Sequence, residues 1–542
     1  MKNKKLRFTL VALLCAFVFA FAGCSTNKPV EVADTEIIEA KDELVLALGL
    51  VDNGQFDPKK GWGTHGQIRL THSSLLKRDA DLNILGDLAT TYEISEDGLQ
   101  WMFSLRDDVK FSNGEAVTIE DVVFTYEMLK EDGIKFDLSF VDNIEVQDKK
   151  TIIFNLTEPR STFVGQLTEI GIVPKDIYDD NYSNNPIGSG PYVVAQYDEG
   201  QQLILEENPH YYGTKPQFKK LTFLLLSEDT ALAAARAGEV DIAYVPTAFA
   251  DQKIEGMVLR AFESIDVRGL VLPTVKSGAK GLTSGNEVEV GNDVTSDIAI
   301  RRALAVGLNR QNLIDIVLKG HGQKAYSLCD KMPWFNSDTV VEDGNIEEAK
   351  KILADAGWID TDNDGILEKD GLKAEFDLYH SASDQLRTDI ALVVADMAKE
   401  LGIKINTVGT TWDEIFLKGK TNAVVWGGGR HHAHQLYTMY SSNAIDTGIN
   451  NMPNYQNPKV DEYLQKAMNA SSQEEANKYW KLAQWDGETG FSLLGDAPIV
   501  WLLRFDHTYL ANEKLDLGKQ PIVSHGQEWS ILGNITEWNW KN

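Results

Sequence analysis

Leu88-Ala89-Thr90-Thr91-Tyr92-Glu93, Ser95-Glu96-Asp97-Gly98-Leu99, Leu105-Arg106-Asp107-Asp108-Val109-Lys110-Phe111 and Asn113-Gly114-Glu115 follow one another in a single stretch that closes with Thr118-Ile119-Glu120-Asp121-Val122. Glu96-Asp97-Gly98 is a turn signal, and Trp101-Met102-Phe103-Ser104-Leu105 behind it reads as a strand. Thr118 then opens a helix. Its hydroxyl caps orphan backbone N–H groups, and Glu120 and Asp121 complement the positive end. Val122, Val123, Tyr126 and Leu129 give that helix an apolar face.

Working outward, the same alternation recurs. Leu44-Val45-Leu46-Ala47-Leu48 is a continuous apolar run, as in a strand covered on both faces. Thr151-Ile152-Ile153-Phe154-Asn155-Leu156 is another strand. Asn345 is placed to cap a helix over 346–356 that Gly357 stops, with Glu347 and Glu348 in its first turn. Leu386, Ile390, Val393, Met397 and Leu401 mark a longer helix closed by Gly402, and Ile403-Lys404-Ile405 leads out as a strand. Strand and helix in turn argue for α/β lobes. No repeat of roughly 20–50 residues is apparent, which disfavours a solenoid. The Gly-, Ser-, Asn- and Thr-rich segment from Lys276 to Asp297 reads as a long loop or a domain boundary.

The N-terminus carries Lys2, Lys4, Lys5 and Arg7 ahead of an uncharged apolar run from Phe8 to Gly23. That run is shorter than the roughly 20 residues of a spanning helix and has the layout of a secretory signal. It ends in Phe21-Ala22-Gly23-Cys24, small residues before a Cys, as in a bacterial lipobox with Phe in place of the usual Leu. Cys24 is therefore the expected lipidation site, and the polar stretch from Asn27 to Lys41 the tether behind it. Cys15 would leave with the signal, so Cys329 stands alone and no disulfide framework forms within the mature chain. A net charge of −29, more negative still once the signal is removed, argues against nucleic-acid partners.

Taken together, several segments resemble the large extracytoplasmic binding proteins for peptides and nickel, solute-binding protein family 5. The opening stretch carries much of the likeness. Asn185-Pro186-Ile187-Gly188-Ser189-Gly190-Pro191-Tyr192, Asn208-Pro209-His210-Tyr211-Tyr212 and Ala237-Gly238-Glu239-Val240-Asp241-Ile242 carry more. Arg301-Arg302-Ala303-Leu304, Asn309-Arg310 and Gly320 complete it. The resemblance implies a two-lobed α/β fold of the periplasmic-binding class II type with an extra inserted α/β subdomain. By that analogy 1–23 is the signal and 24–42 the tether. The first lobe comprises 43–77, 183–284 and 505–542; 78–182 is the insert and 285–504 the second lobe. It also implies capture of a small peptide or a nickel chelate by closure of two lobes. Delivery is then to ABC permease subunits with separate ATPases, by a monomer on the extracytoplasmic face of a cell membrane. A peptide-sensing surface receptor and a surface hydrolase are the alternative roles.

Three features speak to the ligand. Trp426-Gly427-Gly428-Gly429-Arg430-His431-His432-Ala433-His434 sets three imidazoles and a guanidinium behind a bare glycine backbone. In the nickel-binding branch that the chain resembles, a His after a comparable Trp-Gly approaches the metal complex, and His432 and His434 lie nearest that place. Neutral imidazole suits nickel, and a chelator would supply the remaining ligands. Arg430 suits a carboxylate. The other reading is a solvated polar loop. Gly61-Trp62-Gly63-Thr64-His65-Gly66 offers His65 as a further metal ligand or peptide contact and Trp62 as a stacking wall, or else a turn with a packed Trp. His525, near the C-terminus, is placed to reach the hinge region.

Asp360-Thr361-Asp362-Asn363-Asp364-Gly365 matches the start of a calcium loop, with Gly371 where the closing Glu belongs and Glu368 as its substitute. A structural calcium or a simple acidic turn both fit. The chain has no Gly-x-Ser-x-Gly elbow, His-Glu-x-x-His helix or phosphate-cradling Gly-x-x-x-x-Gly-Lys loop, so a binder with no required cofactor is expected rather than an enzyme.

Overall fold

Glu43–Ala47 forms the expected apolar strand, and its two faces enter two different cores. Leu44 and Leu46 pack with Phe223, Tyr509 and Trp538, whereas Val45 and Ala47 meet Leu232 and Ala235 of the helix Glu228–Ala237. The strand pairs in parallel with Lys220–Leu224 and with Ile242–Tyr244. Antiparallel neighbours extend the sheet to seven strands, ending at Met257–Phe262 on one side and Tyr192–Asp198 on the other. The computed structural model describes residues 41–49, 56–60, 70–132, 136–283, 285–525 and 529–541. Cys24 with its signal and tether, and Trp62 and His65, lie outside the described residues. Among the described residues no helix is long and apolar enough to cross a membrane.

A second sheet of six strands is built from Val267–Val271, Gly322–Lys324, Glu375–Ser381, Lys404–Thr410, Ala423–Gly428 and Ile499–Phe505. One of its faces packs on the helices Ile298–Gly307, Arg310–Leu318 and Gln385–Lys399. Its other face packs on Pro458–Met468 and Gln473–Gln484. Asn345 accepts a hydrogen bond from the Glu348 amide, as its capping role requires. The opening stretch contributes a third, four-stranded antiparallel sheet with the helix Ile119–Asp132 beside it. Thr118 and Asp121 form a reciprocal cap there: the Asp121 amide donates to Thr118 Oγ1 at 3.3 Å and the Thr118 amide donates to Asp121 Oδ2 at 2.8 Å.

The second lobe begins earlier than the limit expected at Gly285. Val267–Val271 already pairs with Ala423–Gly428 and Ile499–Phe505, so the chain crosses between sheets over residues 263–266. It crosses back at Asp506, because His507–Asn512 belongs to the first sheet. The segment from Lys276 to Asp297 holds a hairpin, Ala279–Thr283 with Asn286–Val290, rather than a structureless loop. Lys420 Nζ ties it to the second lobe by donating to the Leu282 carbonyl at 2.9 Å.

Arg310, one of the residues carrying the family resemblance, is a structural post. Its guanidinium is fully buried and donates to the carbonyls of Ala305, Ala325 and Trp501 as well as to Asp343 at 3.1 Å. Removing it takes a donor from three carbonyls in the core and one of the two cations from Asp343, which keeps Lys324 at 2.9 Å. Arg310→Met is expected to cost about 3–5 kcal/mol, the usual penalty for breaking a buried pair. Urea unfolding checks this, and a loss below about 1 kcal/mol would refute the assignment.

Candidate functional site

Ala423–Gly428 leaves the second sheet beside the crossover segment. A Cβ on Gly427 would come within 2.6 Å of Arg268 Nη1, and one on Gly429, where φ is +124°, within 1.9 Å of the Ile265 carbonyl oxygen. Glycine is what lets this loop lie directly on the crossover. The loop is then strapped to the C-terminal part of the first lobe. The His525 amide donates to the Gly429 carbonyl at 2.8 Å, and His431 Nε2 donates to the Ile522 carbonyl at 2.8 Å.

At the crossover itself, Asp266 is completely buried. It pairs with Arg268, with His525 Nδ1 at 2.6 Å and with His507 Nε2 at 3.3 Å. Burial alone would raise its pKa, but Arg268 and then His525 hold it well below the usual carboxylate range. The expectation that His525 reaches the hinge is met here, in a structural rather than a ligating role.

Beyond the glycines the chain lines a cavity of about 210 Å³ between the second lobe and the insert. Arg430, His432 and His434 face Asp137, Gln166 and Glu169 across it. Burial lowers the Arg430 pKa, opposed chiefly by Glu169, and its Nη1 has no hydrogen-bond partner among the described residues. His434 Nδ1 and Gln166 Oε1 likewise have none. Burial pushes His432 down to about 3, against the pull of Glu169, and His434 down to about 4. Both imidazoles are therefore neutral at pH 7, the form that binds metals. Their ring centroids lie 6.4 Å apart, and His432 Nε2 is 4.0 Å from Glu169 Oε1. The His432 side chain keeps 26% of its surface exposed, so it is open to the cavity.

The sequence candidates thus divide. Arg430, His432 and His434 come together, whereas His431 spends its Nε2 on Ile522 and does not line the cavity. Trp426 packs edge-on against Trp412 and Phe416, at 5.8 and 6.4 Å between ring centroids, instead of lining the cavity. Sequence reasoning missed Glu169, Asp137 and Arg387. Arg387 lies 5.0 Å over the Trp412 ring, and its pKa is lowered to about 10 by burial and then by Arg268.

Among the described residues, the one group of three or more His, Cys, Asp or Glu with ligating atoms within 4.8 Å of one another is Asp360, Asp362, Asp364 and Glu368. The set has the oxygen chemistry calcium needs. Lys373, however, places its ammonium 3.2 Å from Asp362, 3.6 Å from Glu368 and in contact with Asp364, so an ion would have to displace it. His432, His434 and Glu169 do not form such a group. An ion there would draw most of its coordination from the ligand that carries it.

These depressed imidazoles set a pH dependence. A His whose folded pKa lies below 6.5 binds fewer protons folded than unfolded, so the stability it supports is complete above pH 6.5 and is lost as pH falls toward 4. Thermal unfolding between pH 7 and pH 4.5 should show a falling Tm whose slope is reduced in His432→Asn/His434→Asn. Equal slopes in the two proteins would contradict the buried, neutral assignment.

Comparison with known proteins places this geometry. Residues 83–448 match the family model described as bacterial extracellular solute-binding proteins, family 5. Protein XP55 of Streptomyces lividans is 30% identical over 518 residues, 92% of this chain and 90% of its own. The oligopeptide-binding protein AppA of Bacillus subtilis is 29% identical over 77% of this chain and 79% of its own. The crystal structure of NikZ from Campylobacter jejuni in complex with Ni(L-His) superposes with a TM-score of 0.76 at 23% identity, covering 92% of this chain and 99% of that one, which shows the shared fold. The two sheets with their double crossover and the inserted third sheet are the fold of that group, and the chain belongs to the bacterial extracellular solute-binding proteins, family 5.

Proposed function

We propose that this protein captures a compact, carboxylate-bearing solute in the Arg430–His432–His434 cavity and presents it to the permease of an ABC importer, held at the membrane face through a lipid on Cys24. One observation carries the reading: a buried guanidinium nitrogen with no hydrogen-bond partner among the described residues, beside two neutral imidazoles, in a cavity lined by two domains. An unpaired buried cation is costly unless a ligand completes it, and a bidentate carboxylate does so with least rearrangement. The volume of about 210 Å³ lies below the roughly 300–1,000 Å³ of drug-sized pockets. That size supports a metal–amino-acid chelate or a very short peptide over a long one.

Within that class a nickel chelate of the histidine type fits best. Two neutral imidazoles supply one or two nitrogen donors, and Arg430 takes the chelator's carboxylate. The relative crystallised with Ni(L-His) supports this reading. A short peptide is the second reading, favoured by Asp137 and Glu169, which suit an ammonium group. The absence of a phosphate-cradling motif in the sequence fits a chain whose transport energy comes from separate ATPase subunits.

Calorimetry of metal-free protein with nickel(II) and L-histidine is expected to show one tight site that nickel alone does not fill. His432→Ala and His434→Ala should each weaken it tenfold or more, that is by about 1.4 kcal/mol or more. Wild-type affinity in both variants would remove the imidazoles from the site. No binding by the wild type would turn the assignment to the peptide.

A further inference from the structure

The cavity lies between the insert and the second lobe, so how far these two bodies part sets how open it is. Their rim carries a contact centred on one residue. Ser161, 5% exposed, follows the last strand of the insert, Thr151–Leu156. Its amide donates to the Met468 carbonyl at 2.8 Å, and its Oγ donates to the Ala467 carbonyl at 2.7 Å. Its own carbonyl accepts from Gln473 Nε2 at 2.7 Å.

Ala467 and Met468 are the last two residues of the helix Pro458–Met468, and Gln473 is the first of Gln473–Gln484. The final carbonyls of a helix have no partner within it. Ser161 therefore caps one helix of the second lobe and is gripped by the next. All three of its hydrogen-bonding groups are used across the gap. The neighbouring residues point the same way. Thr162 lines the cavity, and Gly165 lies so close to the ligand loop that a Cβ there would sit 2.9 Å from that of His432.

We infer that Ser161 is the positioning residue that latches the insert onto the second lobe and so sets how long the solute stays enclosed. The latch makes no ligand contact of its own. When the cleft opens, water replaces Ser161 on the two helix carbonyls, so closure gains little net energy per bond and stays reversible. Its three bonds still add to whatever the ligand contributes, which makes them a brake on release. The inference rests on the solute-binding reading only in requiring that the cleft opens.

Cross-link trapping tests it without a ligand. Gly98 of the insert lies against Ser471 of the second lobe, where a Cβ would come within 3.2 Å of Ser471, so the exposed positions Glu96→Cys and Ser471→Cys can be bridged by a short bismaleimide in the closed state. The free Cys329 is buried. In protein dialysed free of small molecules, the rate of bridging reports the closed population. Ser161→Ala, which removes the Oγ bond and keeps the two backbone ones, and Gln473→Ala are each expected to slow it roughly fivefold, and the double variant further still, with the thermal midpoint of the reduced protein unchanged. Equal rates in all backgrounds overturn the latch, and so does a pair that never bridges with Ser161 intact. Slowed bridging in a protein that ignores nickel and histidine would leave the latch standing and refute the proposed ligand.

Discussion

Asp266 is the point through which the two lobes hold each other. It lies in the first crossover, and its partners come from every strand of chain that passes the hinge. Arg268 stands two residues on in the second sheet. His507 opens the return into the first sheet, and His525 belongs to the C-terminal segment that straps the ligand loop. A carboxylate taken wholly out of water is tolerable only when a cation and hydrogen-bond donors surround it. That requirement fixes where Arg268 and His525 sit, and it leaves room for no Cβ at Gly427, near the end of the strand that leads into the loop. The glycine loop proposed to hold the ligand is thus built directly on the crossover.

The opposite side of the loop is organised by the same constraint left unmet. Arg430 is half-buried, yet its buried Nη1 has no acceptor among the described residues, and the imidazoles beside it are held neutral by burial. Glu169 and Asp137 offset the charge across the gap without closing on it. An incomplete set of partners in an enclosed space is unfavourable by itself and becomes favourable with a solute carrying the missing group. On the proposed reading, closure is coupled to occupancy, while the Ser161 contact on the rim adds a ligand-independent share.

Much of the scaffold was readable because local rules govern it. Asn345 and Thr118 announce their helices through capping, and Leu44 to Leu48 shows a strand buried on both faces. The lobe boundary was not readable. Val267-Arg268-Gly269-Leu270-Val271 has a charge and a glycine at its centre, which hides a central strand. Arg268 is there for Asp266, and Gly269 because a Cβ would strike the Val500 carbonyl at 2.7 Å. Within the site, the clustered His432 and His434 were visible as chemistry. Glu169, Asp137 and Ser161 were not, because each is an ordinary polar residue until the insert folds against a lobe far along the chain. Lys373 was hidden in the same way: only the folded hairpin brings its ammonium to the acidic turn.

The central claim is that Arg430 completes its charge with one compact, carboxylate-bearing solute. Native mass spectrometry of the protein as purified from its producing cells tests this without a guess at the ligand. The account predicts a single small adduct, of amino-acid-chelate or dipeptide mass, that is absent from Arg430→Met. A ladder of long peptides, or an adduct that Arg430→Met retains, would contradict it.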